Sequence, residues 1–344
     1  MNNDSNNERP HEHDFEKITE LLKTHVATYR NSNSLSLEPC EARKTLLNDV
    51  VKCRIHDADK QSDIYVKFEK VLTEGESLQD EFNNIIKFRS LFDSTKPQFD
   101  CVEPLFYNND HPTVLVLKEC AGDNVLDIID KGCRWFTPAK HDEYAIEAAE
   151  AMGRWLNHLE TASLGIEKPI DVYNRVKKSA ENAGEKIYAR NSGDAAISIV
   201  KSCLKDMGGA MEKMKEMEDK IYLAHGDFHP GNFFAVGKQP GITAIDFQLA
   251  RPQFVGYDAL YFEQALLMSF GPSKFSPYSI RKILDAFWQG YNRSLDDPLW
   301  LKRLLKSQLV LRALIYLSTI SQTGGVLRRF VNLLDIYKLR RWLM

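Results

Sequence analysis

The sequence predicts an α+β protein, and three features predict it. Short β-rich stretches, Leu46 to Ile55, Ile64 to Phe68 and Thr113 to Leu117, fall in the first third of the chain. Beyond the loop at 118–124 the chain reads mostly helical. A chain of 344 residues, 43% hydrophobic and 27% charged, is also long enough to bury two cores.

Taken in order, Met1 to His13 is polar and rich in Asn, Asp and Glu, and reads as a disordered lead-in rather than a signal peptide. Leu46 to Ile55 is strand-like and enters the turn Asp57-Ala58-Asp59-Lys60, after which Ile64 to Phe68 is a β stretch carrying polar Lys67. Within Gly75 to Phe92, Leu78, Phe82, Ile85, Ile86, Phe88 and Leu91 recur at approximately helical spacing. Thr113 to Leu117 then runs into the Gly-containing loop Lys118 to Asn124 and a helix-like Val125 to Ile129. Ala145, Ala148, Ala149, Met152, Trp155, Leu156 and Leu159 predict an amphipathic helix that forms the main buried column of the second half. His158 on it has no metal-ligand partner at helical spacing and reads as structural. Lys201 to Lys220, with Met207, Met211, Met214 and Met217, reads as a solvated helix with a packing stripe.

The chemistry concentrates between Leu223 and Phe262, which runs L-A-H-G-D-F-H-P-G-N-F-F, a Gly/Pro turn, I-T-A-I-D-F-Q-L-A-R-P and G-Y-D-A-L. A phosphoryl-transfer site needs a carboxylate near the acceptor hydroxyl and oxygen ligands for Mg²⁺, because catalysis there is positioning plus charge neutralisation. Asp227 would orient and deprotonate the acceptor, and Asn232 would offer a carbonyl oxygen to metal. Both lie in a loop between apolar runs, broken by the turn signal Pro230-Gly231. Asp246 ends the run Ile242 to Ile245, so a strand would deliver it, with Gly237 to Gly241 as the hairpin turn folding it back. Three such donors suit Mg²⁺ better than Zn²⁺. Singly, each is an ordinary turn residue or strand terminator; the set carries the signal.

His225, Asp227, Asn232 and Asp246, in that order, resemble the catalytic and metal loops of the aminoglycoside phosphotransferase and choline kinase superfamily, a branch of the protein-kinase-like fold. The D-F-Q triplet also resembles the ecdysteroid-kinase-like branch, whereas H-P-G-N is closer to the general aminoglycoside phosphotransferase group. The resemblance implies a bilobal fold: an N-terminal nucleotide-binding lobe over 14–120, made of an antiparallel sheet with one helix, and a mainly helical catalytic and acceptor-binding lobe over 121–344. It implies ATP and Mg²⁺ as cofactors, with Asn232 and Asp246 as metal ligands and Asp227 catalytic.

The same resemblance assigns Lys67 to the α- and β-phosphates and Glu81, fourteen residues later, as its partner, with Glu74 and Glu76 as nearby alternatives. Adenine would meet the backbone carbonyl of Glu119 and the backbone N–H of Ala121 in the hinge. His225 is implied to be a scaffold, Asp258 to tie the catalytic loop to the next helix, His229 to shape the loop, and Gln248 to lie near but not on the metal. One part is missing. The nucleotide-clamping turn is expected near Cys40 to Asn48, where Glu41 to Thr45 contains no glycine to let backbone N–H groups approach phosphates. Arg43, Lys44 or the Thr45 hydroxyl would have to serve as donors, which leaves ATP against GTP open.

Other classes are disfavoured. Cysteines 40, 53, 101, 120, 133 and 203 form no C-x-x-C pair and read as reduced thiols of a cytoplasmic protein. A net charge of −3 gives no bulk attraction to nucleic acid. Leu309 to Ile320, interrupted by Arg312, is too short to span a bilayer.

The partner expected is a small-molecule hydroxyl acceptor. Its pocket is assigned to Tyr257 to Phe270 and Ser279 to Ser321, whose Tyr261, Glu263, Gln264, Trp288, Gln289, Tyr291 and Asn292 suit a polyol or sugar. An aromatic cage for a choline-type cation would draw on Tyr257, Tyr261, Phe262, Trp288 and Tyr291, but aromatics at helical spacing are more often core. Residues 326–344 form a basic amphipathic segment, which can lie on an anionic membrane surface; docking onto the second lobe is the preferred reading. Two functions follow: a small-molecule kinase, or a catalytically weak nucleotide-binding or scaffold protein of the same fold. The first is favoured because each matched position holds a competent residue. Oligomeric state is not legible.

Overall fold

The computed structural model describes residues 12–343 except 31, 33, 45–47, 59, 70–76, 93–98, 111, 135–138, 190–192, 211, 214–216, 218–219, 238–239, 270–275, 293–297 and 322–325. Contacts divide the chain into two compact units, residues 1–121 with 243–249, and residues 122–242 with 250–344.

The first unit contains helices α1 (Glu12–His25) and α2 (Leu78–Phe92) and strands β1 (Ser36–Lys44), β2 (Asn48–Asp57), β3 (Lys60–Glu69), β4 (Phe99–Cys101), β5 (Pro104–Asn108) and β6 (Val114–Lys118). Five strands form one antiparallel sheet in the order β1-β2-β3-β6-β5. The register follows from period-two alternation: Val51, Cys53 and Ile55 of β2 and Ile64, Val66 and Phe68 of β3 are buried together on one face. Helix α1 covers that face with Ile18 and Leu22. Lys67 therefore points to the other face, opposite Val50 of β2 and Leu115 of β6. Glu41 to Lys44, expected near the clamping turn, is strand β1 paired to Asp49–Lys52 of β2. Residues 45–47, between β1 and β2, lie outside the described residues, Thr45 among them, as do Glu74 and Glu76. Helix α1 is an element the sequence reading did not assign.

The second unit begins with β7 (Asp123–Asn124), α3 (Val125–Cys133), α4 (Ala139–Ala162), α5 (Pro169–Ala189) and α6 (Gly193–Gly208). Strands β8 (Ile221–Ala224) and β9 (Phe233–Val236) frame the central loop. Strand β10 (Gly241–Ala244) leads into the segment 243–249 that packs with the first unit. The chain returns with β11 (Arg251–Phe254), then α7 (Tyr257–Ser269), α8 (Pro277–Tyr291), α9 (Leu299–Ser321) and α10 (Val326–Leu343). All seven apolar positions of the predicted column, Ala145 through Leu159 on α4, are fully buried. Helices α4 and α8 approach at two glycines: a Cβ on Gly153 would lie 2.2 Å from the Phe287 carbonyl oxygen, and one on Gly290 2.0 Å from that of Glu150. Helix α6 ends at Gly208, short of the helix expected to Lys220; Met207 and Met217 are buried, and Met211 and Met214 lie outside the described residues.

Among the described residues no helix is long and apolar enough to cross a membrane. All six cysteines are free, and four of them (Cys53, Cys101, Cys133 and Cys203) are buried. Helix α10 docks within the second unit: Leu339 is buried, the Trp342 indole N–H donates to Glu263 (2.7 Å), and the Lys306 ammonium donates to the Trp342 carbonyl (2.8 Å).

Candidate functional site

In the first unit, one lysine meets two carboxylates. The Lys67 ammonium donates to both oxygens of Glu81 (2.7 and 2.9 Å) and to Oδ1 of Asp246 (3.0 Å). The geometry follows from local structure. Strand β3 turns Lys67 away from its apolar neighbours, and Glu81 sits on the inner face of α2 with Leu78, Ile85 and Phe88. Burial alone would lower the lysine pKa, but Asp246 and Glu81 outweigh it and hold the ammonium charged. Burial raises the Glu81 carboxyl, opposed chiefly by Lys67.

Asp246 is not delivered by a strand as expected: β10 stops at Ala244, and Asp246 has a left-handed backbone, φ 65°. That conformation is costly for a non-glycine residue and needs support from its surroundings. Helix α2 supplies it. Glu81 accepts from the Phe247 N–H, the Asn84 amide donates to the Phe247 carbonyl (3.0 Å), and the rings of Phe88 and Phe247 lie 4.5 Å apart. Gln248 is buried and accepts from the Asn48 amide at 3.2 Å.

The adenine-hinge candidates lie at the end of β6. Glu119 donates its N–H to the Asp63 carbonyl (3.2 Å) and its carboxylate is held by Lys52 (2.7 Å); Ala121 is exposed. Lys52 also pairs with Asp63 (2.9 Å).

In the second unit, the loop between β8 and β9 presents Asp227 and Asn232. Asn232 ends a short 3₁₀ turn started by Pro230 and capped by His229, whose Nδ1 accepts from the Gly231 N–H (3.1 Å). The Asn232 amide donates to the Asp227 carbonyl (3.0 Å) and to Oδ2 (3.1 Å), which leaves its own oxygen as the available donor atom. The loop is anchored from below: Asp258, in the first turn of α7, accepts from the N–H groups of His225 (2.7 Å) and Gly226 (3.1 Å). Burial pushes the Asp258 carboxyl up to about 7 against those two donors. His225 is fully buried, and its Nδ1 accepts from the Asp227 N–H (3.3 Å).

Asp227 is surrounded by donors. Oδ1 accepts from Arg312 Nη2 (2.7 Å) and the Tyr261 hydroxyl (2.7 Å), while His229 Nε2 stands 3.4 Å from Oδ2. The Arg312 guanidinium also donates to the Gly226 carbonyl and lies 4.6 Å from the centre of the Tyr261 ring. Burial would raise this carboxyl, but His229, Arg312 and Tyr261 outweigh it and hold it well below the usual carboxylate range.

Arg312, Asn84 and Asn48 are the residues that sequence reasoning missed. Arg312 had a signal, a lone arginine within the apolar run Leu309 to Ile320. The two asparagines had none, since their partners lie 163 and 200 residues away. Of the aromatics considered for a cage, Tyr257, Phe262 and Tyr291 are buried core, and Tyr291 donates to Glu160 (2.7 Å).

Each unit offers an oxygen of the kind a hard cation takes. In the first, Asp246 keeps one carboxylate oxygen beyond that bound to Lys67, and in the second, Asn232 keeps its amide oxygen. Among the described residues no group of three or more His, Cys, Asp or Glu is placed to hold a metal.

No protein family matches the chain by sequence, and no curated protein does. Solved structures do match. A choline kinase from Cryptosporidium parvum Iowa II aligns over 95% of this chain and 94% of its own, with TM-score 0.54 and 12% identity. A thermostable mutant aminoglycoside phosphotransferase, in ternary complex with ADP and hygromycin B, covers 94% and 98%, with TM-score 0.58 and 10% identity. A glucosamine kinase covers 97% and 86%, with TM-score 0.51 and 15% identity. The protein therefore shares the α+β fold of these solved structures, with an antiparallel sheet in the first unit and a mainly helical second unit.

Proposed function

We propose that the protein is a kinase that moves the γ-phosphate of ATP, with Mg²⁺, to a hydroxyl of a small molecule. The observation that carries this reading is Lys67 held between Glu81 and Asp246. Taking Glu81, fully buried, and Lys67, 12% exposed, out of water costs several kcal/mol per ion before pairing, so the arrangement is a poor device for stability alone. Phosphoryl transfer uses each of them. Glu81 fixes the lysine; Lys67 would exchange its contact with Asp246 for phosphate oxygens, releasing that carboxylate for the cation. Bound there and at Asn232, Mg²⁺ would neutralise charge on the phosphates. The hinge carbonyl of Glu119 and N–H of Ala121 would take the adenine.

Asp227, already accepting several hydrogen bonds, is a weak base. Its role is to orient the acceptor hydroxyl, which suffices where the transition state is loose. That a choline kinase and a glucosamine kinase share the fold supports a small hydroxyl acceptor here. Arg312 narrows the class. Its guanidinium covers the Tyr261 ring and places positive charge beside Asp227, which disfavours a quaternary ammonium and favours a neutral sugar or polyol. The glycine-free turn after β1 supports the second reading, a catalytically weak nucleotide-binding protein.

One experiment separates them. Binding of a fluorescent ATP analogue with and without Mg²⁺ is followed by ³²P transfer into a panel of sugars, polyols, amino-alcohols and aminoglycosides. Mg²⁺-dependent binding with transfer supports the kinase; binding without transfer to any acceptor supports the scaffold.

A further inference from the structure

Asp246 has a left-handed backbone, which an aspartate tolerates better than most side chains but which still costs free energy that its surroundings must offset. The two residues that follow are gripped from two elements. On α2, Glu81, Asn84 and Phe88 stand at i, i+3 and i+7, one helical face, and all three meet Phe247: its N–H, its carbonyl and its ring respectively. On β2, the first residue after the glycine-free turn, Asn48, reaches Gln248; both are nearly buried, at 4% and 7% exposure.

We infer that Asn84 and the Asn48–Gln248 pair form a brace that sets the 246–248 segment in its metal-receiving conformation before nucleotide arrives. The segment is braced on both sides of Phe247, so Asp246 is fixed through its backbone and not only through Lys67. The Gln at the third place of D-F-Q gains a purpose. It ties the segment to the start of β2. Asn84, Asn48 and Gln248 are positioning residues, acting through Asp246. The metal part of the inference rests on the proposed kinase reading; the brace itself does not.

The test uses the full chain with Asn84→Leu, which keeps shape but removes the donor, Asn48→Ala at the other end, and the Asn48→Ala/Gln248→Ala double variant. Hydrogen exchange at 245–249 is measured without ligand, and Mn²⁺ titrations are followed at fixed fluorescent ADP. Loss of one buried hydrogen bond predicts roughly tenfold faster exchange at the Phe247 N–H in either single variant. It also predicts about tenfold weaker Mn²⁺ binding, with metal-free ADP affinity changed less than about twofold. The double variant lacks the same Asn48–Gln248 bond as Asn48→Ala and should show at least the same increase in exchange. Exchange in both single variants equal to wild type overturns the brace. Equal weakening of ADP with and without Mn²⁺ also overturns it, since a packing role would act so. If one variant is globally unfolded, the other decides. Wild-type protein that binds no ADP in Mn²⁺ refutes the kinase reading, and the exchange result alone then decides the brace.

Discussion

Replacing Arg312 by Met tests how Asp227 is held. The perturbation keeps much of the side-chain volume and removes the guanidinium, so Oδ1 loses a 2.7 Å charged donor while Tyr261 and Asn232 remain. The ion pair is neither fully buried nor exposed, at 31% and 20% side-chain exposure. Exposed pairs contribute about 0–1 kcal/mol and breaking a buried one costs about 3–5 kcal/mol. A value of about 2–3 kcal/mol lies between, and the loss of the Gly226 carbonyl's donor acts in the same direction. For a unit of this size each kcal/mol moves Tm by about 2–4 °C, so a fall of about 4–12 °C is expected. The assay is thermal unfolding of wild type, Arg312→Met, Asp227→Asn and the double variant. A paired charge predicts non-additivity: the double variant loses at least about 1 kcal/mol less than the two singles together. Additive losses, or a fall under about 2 °C for Arg312→Met, would refute the view that this arginine pins the carboxylate.

Further outcomes are expected. Gly153→Ala should cost more than about 3 kcal/mol or prevent folding, because its methyl would sit 2.2 Å from a backbone oxygen of α8. Gly208→Ala, with nothing within 4 Å, should be within about 1 kcal/mol of wild type by chemical denaturation. Lys67→Met strands fully buried Glu81 without its cation, and should destabilise by about 3–5 kcal/mol in the same assay. Adding Glu81→Leu should recover most of that loss. In the acceptor panel, choline should be phosphorylated more slowly than neutral polyols, and Arg312→Met should narrow that gap; choline as the best acceptor would contradict the reading of Arg312.

What was legible in the sequence tracks what is local. β-rich composition around a turn exposed β2 and β3, and 3.6-residue spacing exposed the buried column of α4, because both signals lie within one short stretch of chain. Strand β1 was hidden because it is a sheet edge with exposed residues from Pro39 to Arg43, so no alternation survives. Helix α1 was hidden by its acidic and polar start, with its apolar contacts reduced to a few residues such as Ile18 and Leu22. Lys67, Glu81, Asp227, Asn232 and Asp246 stood out by residue type and order. The groups that hold them did not: Arg312, Asn84 and Asn48 matter through partners far along the chain, and the left-handed backbone of Asp246 leaves no trace in composition.

Single-turnover transfer of ³²P from ATP to the best acceptor of the panel, in wild type and Asp227→Asn, tests the central claim most directly. The account predicts Mg²⁺-dependent labelling by wild type and a loss of about 10²-fold or more in Asp227→Asn as the acceptor hydroxyl loses its orientation, with nucleotide affinity changed little. Labelling by Asp227→Asn at the wild-type rate would contradict it.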